Sequence, residues 1–414
     1  MKIIVPNNVK RIISTLETAG YEAYAVGGCV RDSILGREPD DWDITTSAKP
    51  LEVKKLFKKT FDTGIQHGTI TVLMDRVGYE VTTYRIDGEY EDSRHPKEVI
   101  FTPNLIEDLK RRDFTINAMA YNERSGLVDC FHGTDDIDQK MIRCVGDATE
   151  RFTEDALRIM RAVRFSAQLD YQIAPETKSA IHKLCDTLQK ISAERIRVEL
   201  TKLLVSDHPD KILDLKDYGI LKVILPNLQV TNLTAHILRI SRSDKISRFT
   251  VLLQEKSEAE AAQILRDLHF DNDTVRKVSR LVGFYYQELK ADKVIIRQQI
   301  RFLGDDLFPL FLELREADIQ GRQVSGLLQD EEYCREETTL AKVTTMYREI
   351  LEAGDCTSVK QLAISGKDLI SIGMKPGREL GDALEESLND VINYPEHNTK
   401  DYLLNLWIHK KTNN

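Results

Sequence analysis

Hydrophobic positions follow two different rhythms along this chain. Up to about residue 150, short apolar runs and alternating β-branched stretches dominate; beyond it apolar positions recur at helical spacing and the alternation disappears. Tyr24-Ala25-Val26 reads as the end of a short buried strand, and Val30 to Leu35 as the first turns of a helix. Asp41 to Thr46 and Tyr79 to Tyr84 read as strands. Arg111-Arg112-Asp113 predicts a helix start with Asp113 as its cap. One mostly apolar helix is predicted from Thr153 to Gln168, and another begins after Ser192 as cap. Pro209, Pro226 and Asp271-Asn272-Asp273 mark breaks, and residues 365–377 form a turn-rich stretch between helices. The segment Asp87 to Pro96 is polar, follows neither period, and reads as a mobile loop. The expected fold class is therefore α+β, with a small mixed sheet first and an all-helical remainder.

Two of these elements carry candidate chemistry. Gly27 and Gly28 stand at a strand-to-helix junction, where glycine permits positive φ and close approach of a ligand. Free N–H groups at a helix start favour an anionic oxygen, and Arg31 adds a planar charged fork suited to phosphate. Asp41 and Asp43 are two residues apart on a predicted strand, so their side chains share a face. Carboxylates held together need a cation between them or a proton on one. Mg²⁺ is commonly held by one or two carboxylates plus substrate phosphates. A lone Gly-Gly or Asp-x-Asp says little; following each other by about ten residues, they point to nucleotide transfer. Glu80, on the Tyr79–Tyr84 strand, is either a third carboxylate of that site or half of a cross-strand charge pair.

The Thr153–Gln168 helix holds Asp155, Arg158, Arg161 and Arg164 at spacings of three, so each neighbours the next. Nearly every other position is apolar. Charges on so apolar a helix must be paired or meet a ligand.

Composition narrows the setting. At 414 residues, 41% hydrophobic and 30% charged, the chain has room for two to four domains. No apolar run approaches a membrane span and the start lacks a secretory h-region, so a cytoplasmic protein without a membrane partner is expected. Six scattered cysteines without Cys-x-x-Cys spacing fit reduced thiols and argue against structural zinc. A net charge of −9 excludes strong global attraction to nucleic acid. Local basic stripes remain: Lys293, Arg297 and Arg301 recur every four residues, and Arg276, Lys277 and Arg280 cluster. The nine histidines are dispersed with no adjacent His-Asp pair, which argues against a His-Asp phosphohydrolase.

Gly27-Gly28-Cys29-Val30-Arg31-Asp32-Ser33-Ile34-Leu35-Gly36-Arg37 with Asp41-Trp42-Asp43 resembles the head of the class II tRNA nucleotidyltransferases. That family includes bacterial CCA-adding enzymes and poly(A) polymerases. The resemblance continues through Glu80-Val81-Thr82-Thr83-Tyr84-Arg85, Arg111-Arg112-Asp113-Phe114-Thr115-Ile116-Asn117-Ala118 and Glu154-Asp155-Ala156-Leu157-Arg158. It implies a DNA polymerase β-like nucleotidyltransferase head at 1–145 and a helical neck with base recognition at 146–205. A helical body at 206–300 and a tRNA-binding tail at 301–414 would follow. It also implies Asp41 and Asp43 as catalytic ligands of Mg²⁺, and Gly28, Arg31, Arg112, Asp155, Arg158, Arg161 and Arg164 as nucleotide-binding residues. The implied reaction adds C, C and A to the 3′ end of tRNA from CTP and ATP, without a template, releasing pyrophosphate. A poly(A) polymerase, or an enzyme adding only CC or only A, shares the same head. CCA-adding relatives carry a flexible loop at the position of 87–96, which favours complete CCA addition. A homodimer is left open.

Hydrogen-bond patterns give Asp155 and Arg158 a task within that resemblance. Cytosine and adenine each present an amino donor beside an unprotonated ring nitrogen, and uracil and guanine present the reverse. Asp155 accepts only and Arg158 donates only. Together they would pair with C or A and leave U and G with unsatisfied groups, a penalty worth factors of about 10⁴.

Overall fold

Seven strands form one mixed sheet in the computed structural model, which describes residues 2–88 and 99–412. They are β1 (Ala23–Val26), β2 (Ile44–Thr46), β3 (Thr60–Gly64), β4 (Thr69–Met74), β5 (Val77–Thr83), β8 (Ala120–Asn122) and β9 (Gly126–Val128), with β6 (Arg85–Asp87) and β7 (Val99–Phe101) pairing separately. The order is β3-β4-β5-β2-β1-β8-β9. All neighbours run antiparallel except β2 and β5, where Ile44 pairs with Val81 and Thr46 with Thr83. β2 is buried over all three residues, yet two are threonines. Their hydroxyls are satisfied: Thr45 Oγ1 donates to Asp108 Oδ2 (3.1 Å) and Thr46 Oγ1 to the Glu22 carbonyl (2.6 Å). β-Branched residues with paired hydroxyls thus make a fully enclosed central strand.

The helices follow in chain order as α1 (Asn7–Thr18), α2 (Gly28–Ile34), α3 (Pro50–Leu56), α4 (Leu105–Lys110), α5 (Gly133–Asp138), α6 (Ala148–Glu154), α7 (Leu157–Leu169), α8 (Pro175–Leu184) and α9 (Ala193–Leu204). α1 buries Val9, Ile12, Ile13 and Leu16, one apolar stripe. The chain divides into two compact units, Met1–Val230 and Thr231–Asn414. The first holds the whole sheet, and among its described residues the second has helices as its only regular elements. The α+β reading therefore holds. One short parallel pair, Met141–Ile142 with Gln172–Ile173, places a little β-structure beyond residue 150.

Three local expectations need correction. Regular strand geometry begins at Ile44, so Asp41-Trp42-Asp43 is its irregular entry. Arg111-Arg112-Asp113 ends a helix instead of starting one. Asn104 Oδ1 accepts from Ile106 N to cap α4, and Arg111 closes it. The Thr153–Gln168 helix is two helices broken at Asp155, whose backbone is extended (φ −137°, ψ 103°). Asp155 Oδ1 accepts from Leu157 N at 3.0 Å, which caps α7 where the continuous helix was expected. Most of the 87–96 loop lies outside the described residues.

In the second unit the basic stripe at 293–301 is not a free cationic face. Lys293 pairs with Glu349 (2.8 Å), Arg297 is buried against Asp355 (2.6 Å) and the Ile392 carbonyl (2.8 Å), and Arg301 meets Glu385 and Asn389. These contacts join the helix Lys293–Leu303 to its neighbours, something four-residue spacing alone cannot reveal. Arg276 and Lys277 likewise share Asp273, and Arg280 lies over the Phe302 ring (4.9 Å). At Gly321 an added Cβ would stand 2.5 Å from Ile237 Cγ1, so glycine there lets the helices Asn232–Ile240 and Phe308–Val324 pack. Among the described residues no helix is long and apolar enough to cross a membrane. All six cysteines are unpaired.

Candidate active site

The turn between β1 and α2 begins the site. Gly27 has φ 85° and ψ −132°, a region reserved for glycine, and its N–H donates to the Met119 carbonyl (3.1 Å). A Cβ there would also meet Arg112 Nη1 at 3.1 Å. Gly27→Ala is therefore expected to cost about 1–3 kcal/mol in backbone strain and to displace Arg112. Denaturant unfolding beside nucleotide titration would check both, and an unchanged midpoint would remove the argument.

Gly27, Gly28, Arg31, Asp41, Asp43, Arg112, Arg161 and Arg164 all line one cleft of about 730 Å³ in the first unit. Trp42 does not, so the two-residue spacing turns both carboxylates to one side as expected. Asp43 is reachable by solvent, yet protein crowds it. Burial raises its pKa, Asp41 adds to the rise, and Arg112 opposes it. Burial, then Asp43 and Asp41, also raise the pKa of Glu80. Across the antiparallel ladder Glu80 faces Thr71, and no ion pair of Glu80 occurs among the described residues. The cross-strand charge pair is thus absent, and three carboxylates repel one another beside the glycine turn. No three His, Cys, Asp or Glu side chains among the described residues suffice as a complete metal cage. Two carboxylates completed by phosphate oxygens suit a hard divalent cation better than such a cage.

The arginines are held in place by carboxylates. Arg31 is buried, grips Asp32 with two nitrogens (3.0 and 2.9 Å) and donates to Asn117 Oδ1 (2.6 Å). Arg112 shares Asp108 with Arg111. Arg161 donates to Asp113 (2.7 Å), and Arg164 contacts Glu199 (2.8 Å) inside the protein. Phe165 gathers three of them, with the guanidinium carbons of Arg164, Arg31 and Arg161 lying 3.8, 5.0 and 5.4 Å from its ring centre. Sequence reasoning missed Phe165, which hid among apolar helix positions, and misread Asp113.

Asp113 anchors the floor of the site. It accepts from Phe114 N (2.8 Å), Asn117 Nδ2 (3.2 Å) and Arg161. Burial alone would raise its pKa, but Arg161, Arg158 and these hydrogen bonds outweigh it and hold the carboxyl well below the ordinary range. A carboxylate with a depressed folded-state pKa stabilises the fold fully above its unfolded value, about 3.9, and less as pH falls below that. Urea midpoints are expected to drop between pH 5 and pH 3, and Asp113→Asn should flatten that drop. Equal slopes in both proteins would assign the acid sensitivity elsewhere.

Comparison with known proteins fits this geometry. Residues 23–143 match the poly(A) polymerase head domain, and 170–231 match a region described as a probable RNA- and SrmB-binding site of polymerase A. A second-domain model of tRNA nucleotidyltransferases matches 240–407. The CCA-adding enzyme of Lactiplantibacillus plantarum is 38% identical over 95% of this chain and 94% of its own. The chain belongs to the CCA-adding enzyme family. The Lactobacillus helveticus member is 36% identical over 94% of both chains. A crystal structure of the Bacillus stearothermophilus CCA-adding enzyme in complex with CTP aligns with TM-score 0.78 and 31% identity, over 98% of this chain and 96% of that one.

In this member of the CCA-adding family, two expected nucleotide-binding residues lie off the cleft lining. Asp155 faces Arg195 on α9, accepting at 3.3 and 2.9 Å. Arg158 donates to Glu154 (2.6 Å) and to the carbonyls of Arg151 (3.1 Å) and Arg111 (2.9 Å). The spacing of three is real, but the break at Asp155 and the drift of the row around α7 send Arg158 one way and Arg161 and Arg164 another.

Proposed function

We propose that this protein adds C, C and A to the 3′ end of tRNA from CTP and ATP, template-independently, releasing pyrophosphate. The observation that carries the reading is the single cleft where Asp41 and Asp43 meet the glycine turn and four anchored arginines. The tRNA 3′-hydroxyl attacks the α-phosphorus and gives up its proton to water, a new P–O bond forms, the α–β phosphoanhydride bond breaks, and pyrophosphate departs. Asp41 and Asp43, with Glu80 behind them, would hold Mg²⁺; the raised pKa values of Asp43 and Glu80 and the oxygen-only donors suit a hard cation. Bound there, such an ion would lower the pKa of the attacking hydroxyl and steady charge on the leaving oxygen.

The protein's own groups do the rest. Gly28 opens α2 and presents backbone to phosphate, while Arg31, Arg112, Arg161 and Arg164 offer donors fixed by their counter-ions. Fixed donors need no reorganisation as charge builds on the transferring phosphate. Asp155 and Arg158 would read the base at the start of α7. The head (1–145) would carry the chemistry, the neck (146–205) the base, and the body (206–300) and tail (301–414) the tRNA.

A tRNA ending before CCA, offered with Mg²⁺ and CTP, ATP, both, or UTP or GTP, tests this reading. Two C's from CTP alone and one terminal A from both are expected. Long A tails would make it a poly(A) polymerase, and a stop at CC a partial enzyme.

A further inference from the structure

Every arginine proposed above for the triphosphate already faces a carboxylate. Arg31 has Asp32, Arg112 has Asp108, Arg161 has Asp113 and Arg164 has Glu199. These pairs orient donors but bring little net positive charge. The cleft lining as a whole holds seven carboxylates against six cations, a poor reception for a polyanion. Two lining cations differ from the rest. Arg37 and Lys202 have no carboxylate partner among the described residues, and both are exposed. The Lys202 side chain makes no hydrogen bond there either, and that of Arg37 only touches the Gln168 carbonyl at 3.3 Å.

Their place along α7 says which phosphates they could meet. Asp155 and Arg158 stand at the start of that helix, Arg161 and Arg164 follow, and Arg37 lies against Gln168 near its end. Lys202 comes from the last turn of α9, which packs along α7. A nucleotide read at the start of α7, with its phosphates passing the arginines, would bring its terminal phosphates to this end.

We infer that Arg37 and Lys202 bind the β- and γ-phosphates of the incoming nucleotide and hold the pyrophosphate formed from them. As the uncommitted positive charges of the cleft, they supply attraction that the paired arginines cannot. This rests on the nucleotidyltransferase reading proposed above.

The test uses the full-length protein with Mg²⁺, and Lys202→Ala, Arg37→Ala and the conservative Lys202→Arg. Binding of CTP and of inorganic pyrophosphate is measured by calorimetry, and KM for tRNA and its salt dependence by primer extension. Each alanine variant should weaken CTP and pyrophosphate about tenfold, leaving KM for tRNA and the fidelity of base choice unmoved. Lys202→Arg should restore most of the loss. Lys202→Ala removes no side-chain hydrogen bond or ion pair among the described residues, so its melting temperature should equal that of the parent. Unchanged CTP and pyrophosphate binding in both alanine variants would overturn the inference. So would a rise in KM for tRNA with a shallower salt slope, which would give these cations to the RNA 3′ end. Failure of the parent protein to extend tRNA would instead sink the functional reading, and the direct binding measurements would still decide for or against these two cations.

Discussion

Asp43→Asn is expected to slow nucleotide addition about a thousandfold while making the metal-free protein more resistant to heat. The two effects share one cause. Burial and the neighbouring Asp41 raise the pKa of Asp43, and Arg112 only partly compensates. A carboxylate whose folded pKa is raised destabilises the fold once it ionises, so the penalty grows as pH rises from its unfolded value, about 3.9, through its folded value. Above its folded value the penalty is complete, and asparagine of the same shape removes it. The same substitution removes half of the proposed cation site. Losing about 4 kcal/mol of transition-state stabilisation corresponds to a thousandfold in rate. Mg²⁺ should raise the melting temperature of the parent and leave that of Asp43→Asn nearly unmoved. Single-turnover extension and melting curves with and without Mg²⁺ would check both halves. A variant that melts earlier yet keeps its rate would place Asp43 in the scaffold and leave the catalytic proposal without its central residue.

Asp155→Asn carries the second large effect, on the choice of base. A carboxylate offers four acceptor sites and no donor. In the structure Oδ1 accepts from Leu157 N and Arg195 Nη1, and Oδ2 from Arg195 Nη2. One acceptor site remains on Oδ2, which matches the single amino group that cytosine and adenine present. Asparagine can place an amide N–H₂ there and so tolerate the carbonyl of uracil. Discrimination of CTP over UTP should fall by two or more of the roughly four powers of ten that an unsatisfied buried group can impose. Competition between CTP and UTP in one extension reaction measures that ratio directly. If Asp155 only caps α7 and holds Arg195, all four nucleotides will slow together and the ratio will stand. The contacts of Arg158 with Glu154 and the Arg111 carbonyl would then be structural as well.

Much of this site was legible before any coordinates. The Gly-Gly junction, the Asp-x-Asp pair and the strand holding Glu80 are local patterns; the junction and the strand lie where predicted, and the pair turns to one side as its spacing implied although it precedes the strand instead of lying on it. Periodicity separated the sheet-bearing part from the helical part for the same reason, since it reflects which face of each element is buried. Reading failed wherever a side chain competed with its own backbone. Asp155 broke a helix that its neighbours would have continued, and Asn104 capped a helix whose start had been placed seven residues later.

By itself, then, the sequence determined the class of fold, the order of its sheet-bearing and helical parts, and which residues are of a type suited to phosphate and a hard cation. Such properties depend on residue type and on neighbours a few positions away. Only the tertiary structure decided which charges are already spoken for. Arg31 finds Asn117 across 86 residues, Arg161 finds Asp113 across 48, and Arg195 finds Asp155 across 40. By spacing the stripe at 293–301 is a solvated face or a local phosphate contact, and its partners on other helices make it neither a free face nor an open cationic one; Arg37 and Lys202 stand out only once every other cation in the cleft is paired. A charge adds net attraction for a ligand only when the fold leaves it without a counter-ion, and counter-ions are chosen by distance in space.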